Sequence, residues 1–359
     1  MTIKNQLELL AAKKGSPCIT ISFNTHRTFP ENAQDEIVLK NLLHEAEKRV
    51  ITEFGKRETI AIVEKLSSVT REMDNNYNLN SMHIFISEDT QEIIKSALPA
   101  SENMVHISDT FALRPIIKDY FRSHEYLILL VSQGGVNLYK ALNEHIVSEY
   151  NNDDFPVPEM AHNINESYNS SDSKLLDDIV REYLNKVDKS IVDIFNKTDL
   201  KCVVISNGDN YSKLLQVADR PDIYCGHATF DNNKKTTDQL VNQSWEIISK
   251  FQFEKRSKEI DAMFEAVGKG NVYTDIHEIY SAAIDGRGEL LIIHEDFVQP
   301  VLMTGERTFD LITDSTTFNA IDDITSNIAW EVFSKKGKVV FTSQDKIKEI
   351  GNIVLKTRY

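Results

Sequence analysis

The residues whose types and spacing best suit chemistry are His162, Asn163, Asn165 and Tyr168, gathered in the polar stretch Asn151 to Asp172. A histidine titrates near neutral pH and can act as a general base, and a neighbouring asparagine amide can orient a water molecule. His162 with Asn163 or Asn165 is therefore the catalytic reading of this stretch. The other reading is a non-catalytic loop that meets a partner. Its only large apolar side chains are Phe155, Met160, Ile164 and Tyr168, set among Asn, Ser and acidic residues. That composition predicts an exposed, mobile segment over 151 to 172. A second concentration is basic. Lys335, Lys336, Lys338, Lys346, Lys348, Lys356 and Arg358 face only Asp345 and Glu349 between residues 335 and 359, a net charge of +5. Any one of these lysines reads as solvated surface, but together they are the candidate RNA-facing or partner-facing surface.

Other constellations lead to structure rather than chemistry. The acidic pairs Asp177-Asp178, Glu295-Asp296 and Asp322-Asp323 would diverge by about 100° on a helix, so solvated faces and helix N-termini explain them better than acid/base or Mg²⁺ work. Gly268-Lys-Gly270 lacks the spacing of a phosphate-binding loop, and Gly286-Arg-Gly288 follows a helix instead of opening one. No Gly-x-Ser-x-Gly elbow occurs. Cys18, Cys202 and Cys225 lie far apart, two of them inside apolar runs, which suits buried thiols in a reducing compartment. Cys225-Gly226-His227 is the only close Cys/His pair. No metal site and no cofactor is expected.

The elements that must position these residues are legible from hydrophobic periodicity. Tyr126-Leu-Ile-Leu-Leu-Val131 reads as a strand buried on both faces. Gln133-Gly134-Gly135 makes a tight turn into the strand Val136 to Leu142, and a third short strand is expected from Ile146 to Tyr150. After the polar stretch, Leu175, Leu176, Ile179, Val180, Tyr183, Leu184, Val187, Ile191 and Ile194 line one face of a long helix. The strand Cys202 to Ser206, then Lys213 to Ala218 and Asp222 to Phe230, complete this region. Upstream, strands are expected at Cys18 to Phe23, Met82 to Ser87 and Met104 to Ile107, with helices from Asp35 to Glu53 and Glu58 to Met73. Downstream, a helix ends in Ala282-Ala-Ile-Asp-Gly286, a strand runs from Leu290 to His294, and a further helix and strand follow from Asp322 to Phe341. That helix is expected to stop with Gly337 in a left-handed conformation. Strands interleaved with helices throughout argue an α/β fold in every part. The expected division is an N-terminal domain over 1–122, a middle domain over 123–250 holding the polar loop, and a C-terminal domain over 251–359.

This order of elements resembles the archaeo-eukaryotic class I release factors and Pelota. The middle region is similar to that family's middle domain. The segment Gly268 to Phe297, with Asp322 to Phe341, is similar to its third domain, a ribosomal-protein-like α/β sandwich. The opening Pro17 to His26, with the helix around Val38, Leu42, Ala46 and Val50, looks like the bacterial branch of the family. The resemblance implies three consecutive α/β domains. In release factors the loop before the long helix carries Gly-Gly-Gln, which promotes peptidyl-tRNA hydrolysis at the ribosomal peptidyl-transferase centre. Here the corresponding loop, Phe155 to Ser171, contains neither Gly nor Gln. Gln133-Gly134-Gly135 has the wrong order and falls in the hairpin. Asn163 or Asn165 would have to orient a water as that glutamine does.

Composition bounds what remains. With 41% hydrophobic residues over 359 positions, and no apolar run near the ~18 residues that span a bilayer, the chain reads as a soluble, cytoplasmic protein. Met1 to Lys14 reads as a short amphipathic helix rather than a signal peptide. The net charge of −15 is distributed as −3, −8 and −4 over residues 1 to 120, 121 to 254 and 255 to 359. Phosphate backbones repel such a surface at long range, so a middle domain at −8 is a poor general RNA binder, and DNA is not an expected partner. Three functions are therefore weighed. The first is a release-factor-like protein that binds the ribosome or a tRNA-shaped site without Gly-Gly-Gln hydrolysis, in rescue, hibernation or quality control. A protein partner can also engage its C-terminal domain. The second is a peptidyl-tRNA or nucleotide hydrolase using the 151 to 172 loop. The third is an acidic protein-binding module independent of RNA.

Overall fold

In a computed structural model of the chain, the residues described are 3–13, 15, 17–72, 78–100, 102–132, 135–158, 173–207, 209–229, 236–314, 317 and 319–359. They form two compact units. One joins residues 1–123 with 256–359, and the other comprises 124–255.

In the first unit, helix α1 (Ile3–Ala11) precedes β1 (Cys18–Asn24), α2 (Asp35–Phe54), α3 (Ile60–Glu72), β2 (Ser81–Ile86), β3 (Gln91–Ser96), β4 (Met104–Ser108) and α4 (Arg114–Arg122). The four strands form an antiparallel sheet in the order β3-β2-β1-β4. Ile19, Ile21, Phe23, Met82, Ile84 and Ile86 alternate onto one face, where Leu39, Leu43, Ala46 and Val50 of α2 and Leu66 of α3 cover them. Two of these elements, β3 and α4, were not anticipated. Strand β3 carries Gln91, Glu92 and Lys95, so its apolar signal is thin.

The second unit holds β5 (Glu125–Ser132), β6 (Gly135–Leu142), β7 (His145–Glu149), α5 (Ser173–Thr198), β8 (Cys202–Ser206), α6 (Asn210–Val217), β9 (Tyr224–Thr229) and the start of α7 (Thr237–Val267). The sheet order is β7-β6-β5-β8-β9. Strand β5 is antiparallel to β6, with Ser132 opposite Gly135, and parallel to β8, with Leu127 opposite Cys202. Of the expected turn residues, Gln133 and Gly134 lie outside the described residues, and Gly135 has φ +112°. The unbroken apolar run of β5 has a direct cause. Leu127, Leu129 and Val131 pack on the α5 side, while Tyr126, Ile128 and Leu130 pack against Leu240, Val241 and Ile248 of α7.

The rest of α7 returns to the first unit, followed by β10 (Val272–Tyr273), α8 (Ile276–Ile284), β11 (Gly288–His294), β12 (Val301–Met303), β13 (Phe309–Leu311), β14 (Ala320–Ile321), α9 (Ile324–Ser334), β15 (Lys338–Thr342) and β16 (Ile353–Thr357). One sheet runs β10-β16-β11-β15, with β11 and β15 parallel and Leu290 opposite Lys338. A small sheet, β13-β12-β14, lies beside it in sequence. One core is shared by both ends of the chain: Leu7, Leu10, Ile116 and Ile117 pack with Ile279, Leu291, Ile328 and Val332.

The end of α9 differs from expectation. The left-handed residue is Lys336, with φ +66°, not Gly337. Lys336 N donates to Phe333 O at 2.9 Å and Gly337 N to Val332 O at 2.8 Å, the two bonds of a Schellman ending. Glycine is required at 337 for close approach. A Cβ there would stand 2.4 Å from Val332 Cγ1 and 2.8 Å from the carbonyl oxygen of Gly288.

Candidate functional site

The polar stretch leads from β7 to α5, and its first part is built into the second unit. Asn152 Oδ1 accepts from the backbone N–H groups of Asp154, at 3.0 Å, and Phe155, at 2.8 Å. That turn drives Phe155 into the core, where it is fully buried. Val157 then exchanges two backbone hydrogen bonds with Val136 of β6, at 2.8 and 2.9 Å. The Tyr183 hydroxyl of α5 donates to the Pro158 carbonyl at 3.1 Å. The expected exposure holds at residues 151–154, 156 and 158, while Phe155 is buried and Val157 partly so. One buried aromatic and one isolated bridge outweigh the polar composition around them. His162, Asn163, Asn165 and Tyr168 lie outside the described residues.

Helix α5, which follows the stretch, is held at two points. Asp177 pairs with Lys213 of α6 at 2.6 Å and with Arg181 at 2.9 Å. These two cations, Lys213 first, hold its carboxyl below the usual carboxylate range. Further along, the buried Asp188 accepts from the Tyr224 hydroxyl at 2.6 Å and from the Asp219 N–H at 2.8 Å. Burial, reinforced by the neighbouring Cys202 and Asp188, pushes the Tyr224 phenol well above its ordinary range. The thiols are likewise inert in character. Cys18 and Cys225 are both pushed up to about 11, chiefly by burial, and Cys202 is raised by the same cause.

The basic C-terminal residues belong to the first unit, and most are paired with carboxylates. Lys338 pairs with Glu259, Lys346 with Asp261 at 2.6 Å, Lys348 with Asp345 at 2.6 Å, and Lys356 with Glu289 at 2.6 Å. Lys335 pairs with Glu331 and donates to the Ile284 carbonyl at 2.7 Å, capping the C-terminus of α8. Arg358 donates to the Lys335 carbonyl at 2.7 Å, which brings Lys335, Lys336 and Arg358 together. Lys338 and Lys356 stand at one register, on either side of Leu290. Lys346 and Lys348 sit apart from these, on the 3₁₀ turn Asp345–Glu349.

The acidic pairs resolve into capping and ion pairs. Asp323 is the N-cap of α9 and accepts from Thr325 N at 3.1 Å, Thr325 Oγ1 at 2.8 Å and Ser326 Oγ at 2.9 Å. Arg114 of α4 reaches it at 3.4 Å. Glu295 pairs with Arg122 of the same helix at 3.1 Å. The polar residues of α4 were missed from the sequence. The signal available was the spacing of Arg114, Lys118 and Arg122, one cation every four residues.

Among the described residues, no group of His, Cys, Asp and Glu has the arrangement to hold a metal ion. No described helix is long and apolar enough to cross a membrane. No curated protein matches the sequence. Among solved structures, archaeal translation termination factor aRF1 is similar at 11% identity, covering 99% of this chain and 97% of its own, with a TM-score of 0.27. Archaeal Pelota, from a ribosome-bound complex with ABCE1, is similar at 11% identity over 100% of this chain and 94% of its own, with a TM-score of 0.44. Dom34 of S. cerevisiae, described as a translation termination-like factor in RNA quality control, is similar at 10% identity over 78% and 73%, with a TM-score of 0.42. Scores at this level carry no argument about arrangement or activity. The sequence also matches the family model "Bacterial archaeo-eukaryotic release factor family 3", over residues 125–287. That span takes in the β5 to β9 sheet, the polar stretch, α5, α7 and α8. Residues 125–287 are thus similar to the bacterial archaeo-eukaryotic release factors, family 3.

Proposed function

We propose that this protein is a translation-related factor that associates with the ribosome or a tRNA-shaped site and does not hydrolyse peptidyl-tRNA through its polar loop, acting in rescue, hibernation or quality control. The observation that carries the reading is the family match over 125–287 combined with a loop, residues 155 to 171, that has neither Gly nor Gln. Release chemistry needs a backbone that can approach the ester closely, which glycines permit, and a side chain that positions water beside it. In this loop every residue carries a Cβ. His162 would need a second residue to hold it as a base, and the sequence supplies none at fixed spacing. The partner-facing surface of this reading is Lys335, Lys336, Lys338, Lys346, Lys348, Lys356 and Arg358. Their exposed ion pairs contribute little to stability, so phosphates can replace the carboxylates at small cost.

Peptidyl-tRNA turnover on ribosomes, with the wild type and with His162→Ala and Asn163→Ala, tests the chemical half of the reading. All three proteins are expected to leave the rate at background while ribosome association is unchanged. A release activity that the loop substitutions abolish would replace this reading with the hydrolase.

A further inference from the structure

Within the first unit, a cavity of about 290 Å³ opens between the β1 to β4 sheet and helix α4. This is at the lower edge of the ~300–1,000 Å³ of small-molecule sites. One wall is polar and buried: Ser22, His83 and Ser96 are each 1% exposed. The His83 ring lies between two hydroxyls, 2.9 Å from Ser22 Oγ and 3.0 Å from Ser81 Oγ. Burial holds its pKa down to about 4, so the ring is neutral at pH 7. The opposite wall is cationic. Arg114, Lys118 and Arg122 line the cavity from α4, and their spacing keeps all three within about 80° of one helix face.

The two arginines have carboxylate partners, Asp323 and Glu295. Lys118 differs. Among the described residues, its ammonium meets only the Glu295 backbone carbonyl, at 3.5 Å. Burial pushes its pKa down, and Arg122 and Arg114 on either side add to that effect against the weaker pull of Glu295 and Asp296. A half-buried ammonium between two guanidiniums is unfavourable until an anion joins them. Two carboxyl groups also line the space, Glu102 and Asp322. Asp322 has its carboxyl surrounded by protein and is raised to about 7, first by burial and then by Asp323, so it offsets the cations only in part at neutral pH. The site is a cavity rather than a ridge, which suits a small anion better than a polynucleotide backbone.

We propose that this cavity binds a small phosphorylated molecule, its phosphate held by Lys118 with Arg114 and Arg122, and its hydroxyl groups facing Glu102 and Asp322. The site is independent of the polar loop and of the C-terminal lysines.

Isothermal titration of the full chain in phosphate-free buffer tests this, with ribose 5-phosphate, inorganic phosphate and ribose as probes. Saturable one-site binding of ribose 5-phosphate is expected, with weaker binding of inorganic phosphate and none of ribose. Lys118→Gln is expected to lower the affinity about tenfold or more, as loss of a charge-assisted hydrogen bond does. Lys40→Gln, on α2 and outside the cavity, is expected to leave it unchanged. Lys118→Met, which keeps the aliphatic stem, is expected to repeat the loss with a melting temperature at or above the wild type, since a like-charge contact is removed. Absence of saturable binding by either phosphate probe, wild-type affinity in both Lys118 variants, or displacement of the probe by a short single-stranded RNA would each overturn the proposal.

Discussion

The hydroxyl of Tyr224 on β9 donates a 2.6 Å hydrogen bond to Oδ1 of Asp188 on α5, with both side chains buried and the other carboxylate oxygen accepting from Asp219 N at 2.8 Å. This arrangement fixes the long helix that follows the polar stretch against the far edge of the sheet. A buried carboxylate is tolerated here because each oxygen has a donor.

Removing that acceptor leaves the buried Tyr224 hydroxyl without its partner and frees the N–H of Asp219, an exposed residue. Asp188→Ala is expected to destabilise the protein by about 3 kcal/mol, and Tyr224→Phe by about half as much, since the carboxylate keeps the Asp219 N–H. Urea unfolding followed by circular dichroism measures both. Equal stability of Asp188→Ala and wild type would show that α5 is held elsewhere.

Phe155 is the anchor of the polar stretch. Phe155→Ala is expected to cost about 3–5 kcal/mol, the usual range for a fully buried phenylalanine, and to speed proteolysis between β7 and α5. Asp154→Ala, one residue away and exposed, is expected to do neither. Limited trypsin and thermolysin digestion with mass-spectrometric mapping separates the two outcomes.

Stability should depend on pH in two opposing ways. His106 is buried and held down to about 4, by burial first and then by Arg49. It is neutral in the fold while the unfolded chain takes up a proton below pH ~6.5. Its contribution is therefore present above 6.5 and lost as the pH falls toward 4. Asp322, raised to about 7, works the other way. The fold keeps its proton where the unfolded chain has lost it, so stability falls as pH rises from about 4 to 7. Between pH 4.5 and 7.5, His106→Gln is expected to flatten the rise of melting temperature with pH, and Asp322→Asn to steepen it. Shifts of the same sign in both variants would contradict these assignments.

Much of the scaffold was legible because its strands are buried on both faces. The runs Tyr126 to Val131, Cys202 to Ser206 and Leu290 to His294 carry no polar interruption before their last residue, and the parallel pairings of β5 with β8 and β11 with β15 join such runs. Strand β3 and helix α4 were hidden for the opposite reason. Most of their polar residues face a cavity or solvent, and only Ile94, Ile116 and Ile117 are buried apolar residues. Just after Phe155, Val157 bridges to Val136, twenty-one residues earlier in the chain, a pairing that local composition does not encode. Tertiary contact likewise decides the ending of α9. There Gly337 lies too close to Gly288 O and Val332 for a Cβ, and Lys336 takes the left-handed conformation. The ion pairs of the C-terminal lysines reach back to Glu259, Asp261 and Glu289, carboxylates outside residues 335 to 359.

The most direct test of the central claim is co-sedimentation of the purified protein with ribosomes across a salt series, with Lys335→Glu/Lys336→Glu/Lys338→Glu as comparison. Contacts to phosphate weaken steeply as salt rises, and long-range attraction is least screened at low ionic strength. The account predicts that the wild type pellets with ribosomes at 50 mM salt and is progressively released toward 500 mM, and that the triple variant is released at lower salt. A protein that stays in the supernatant at 50 mM salt, while the purified chain is folded, would contradict it.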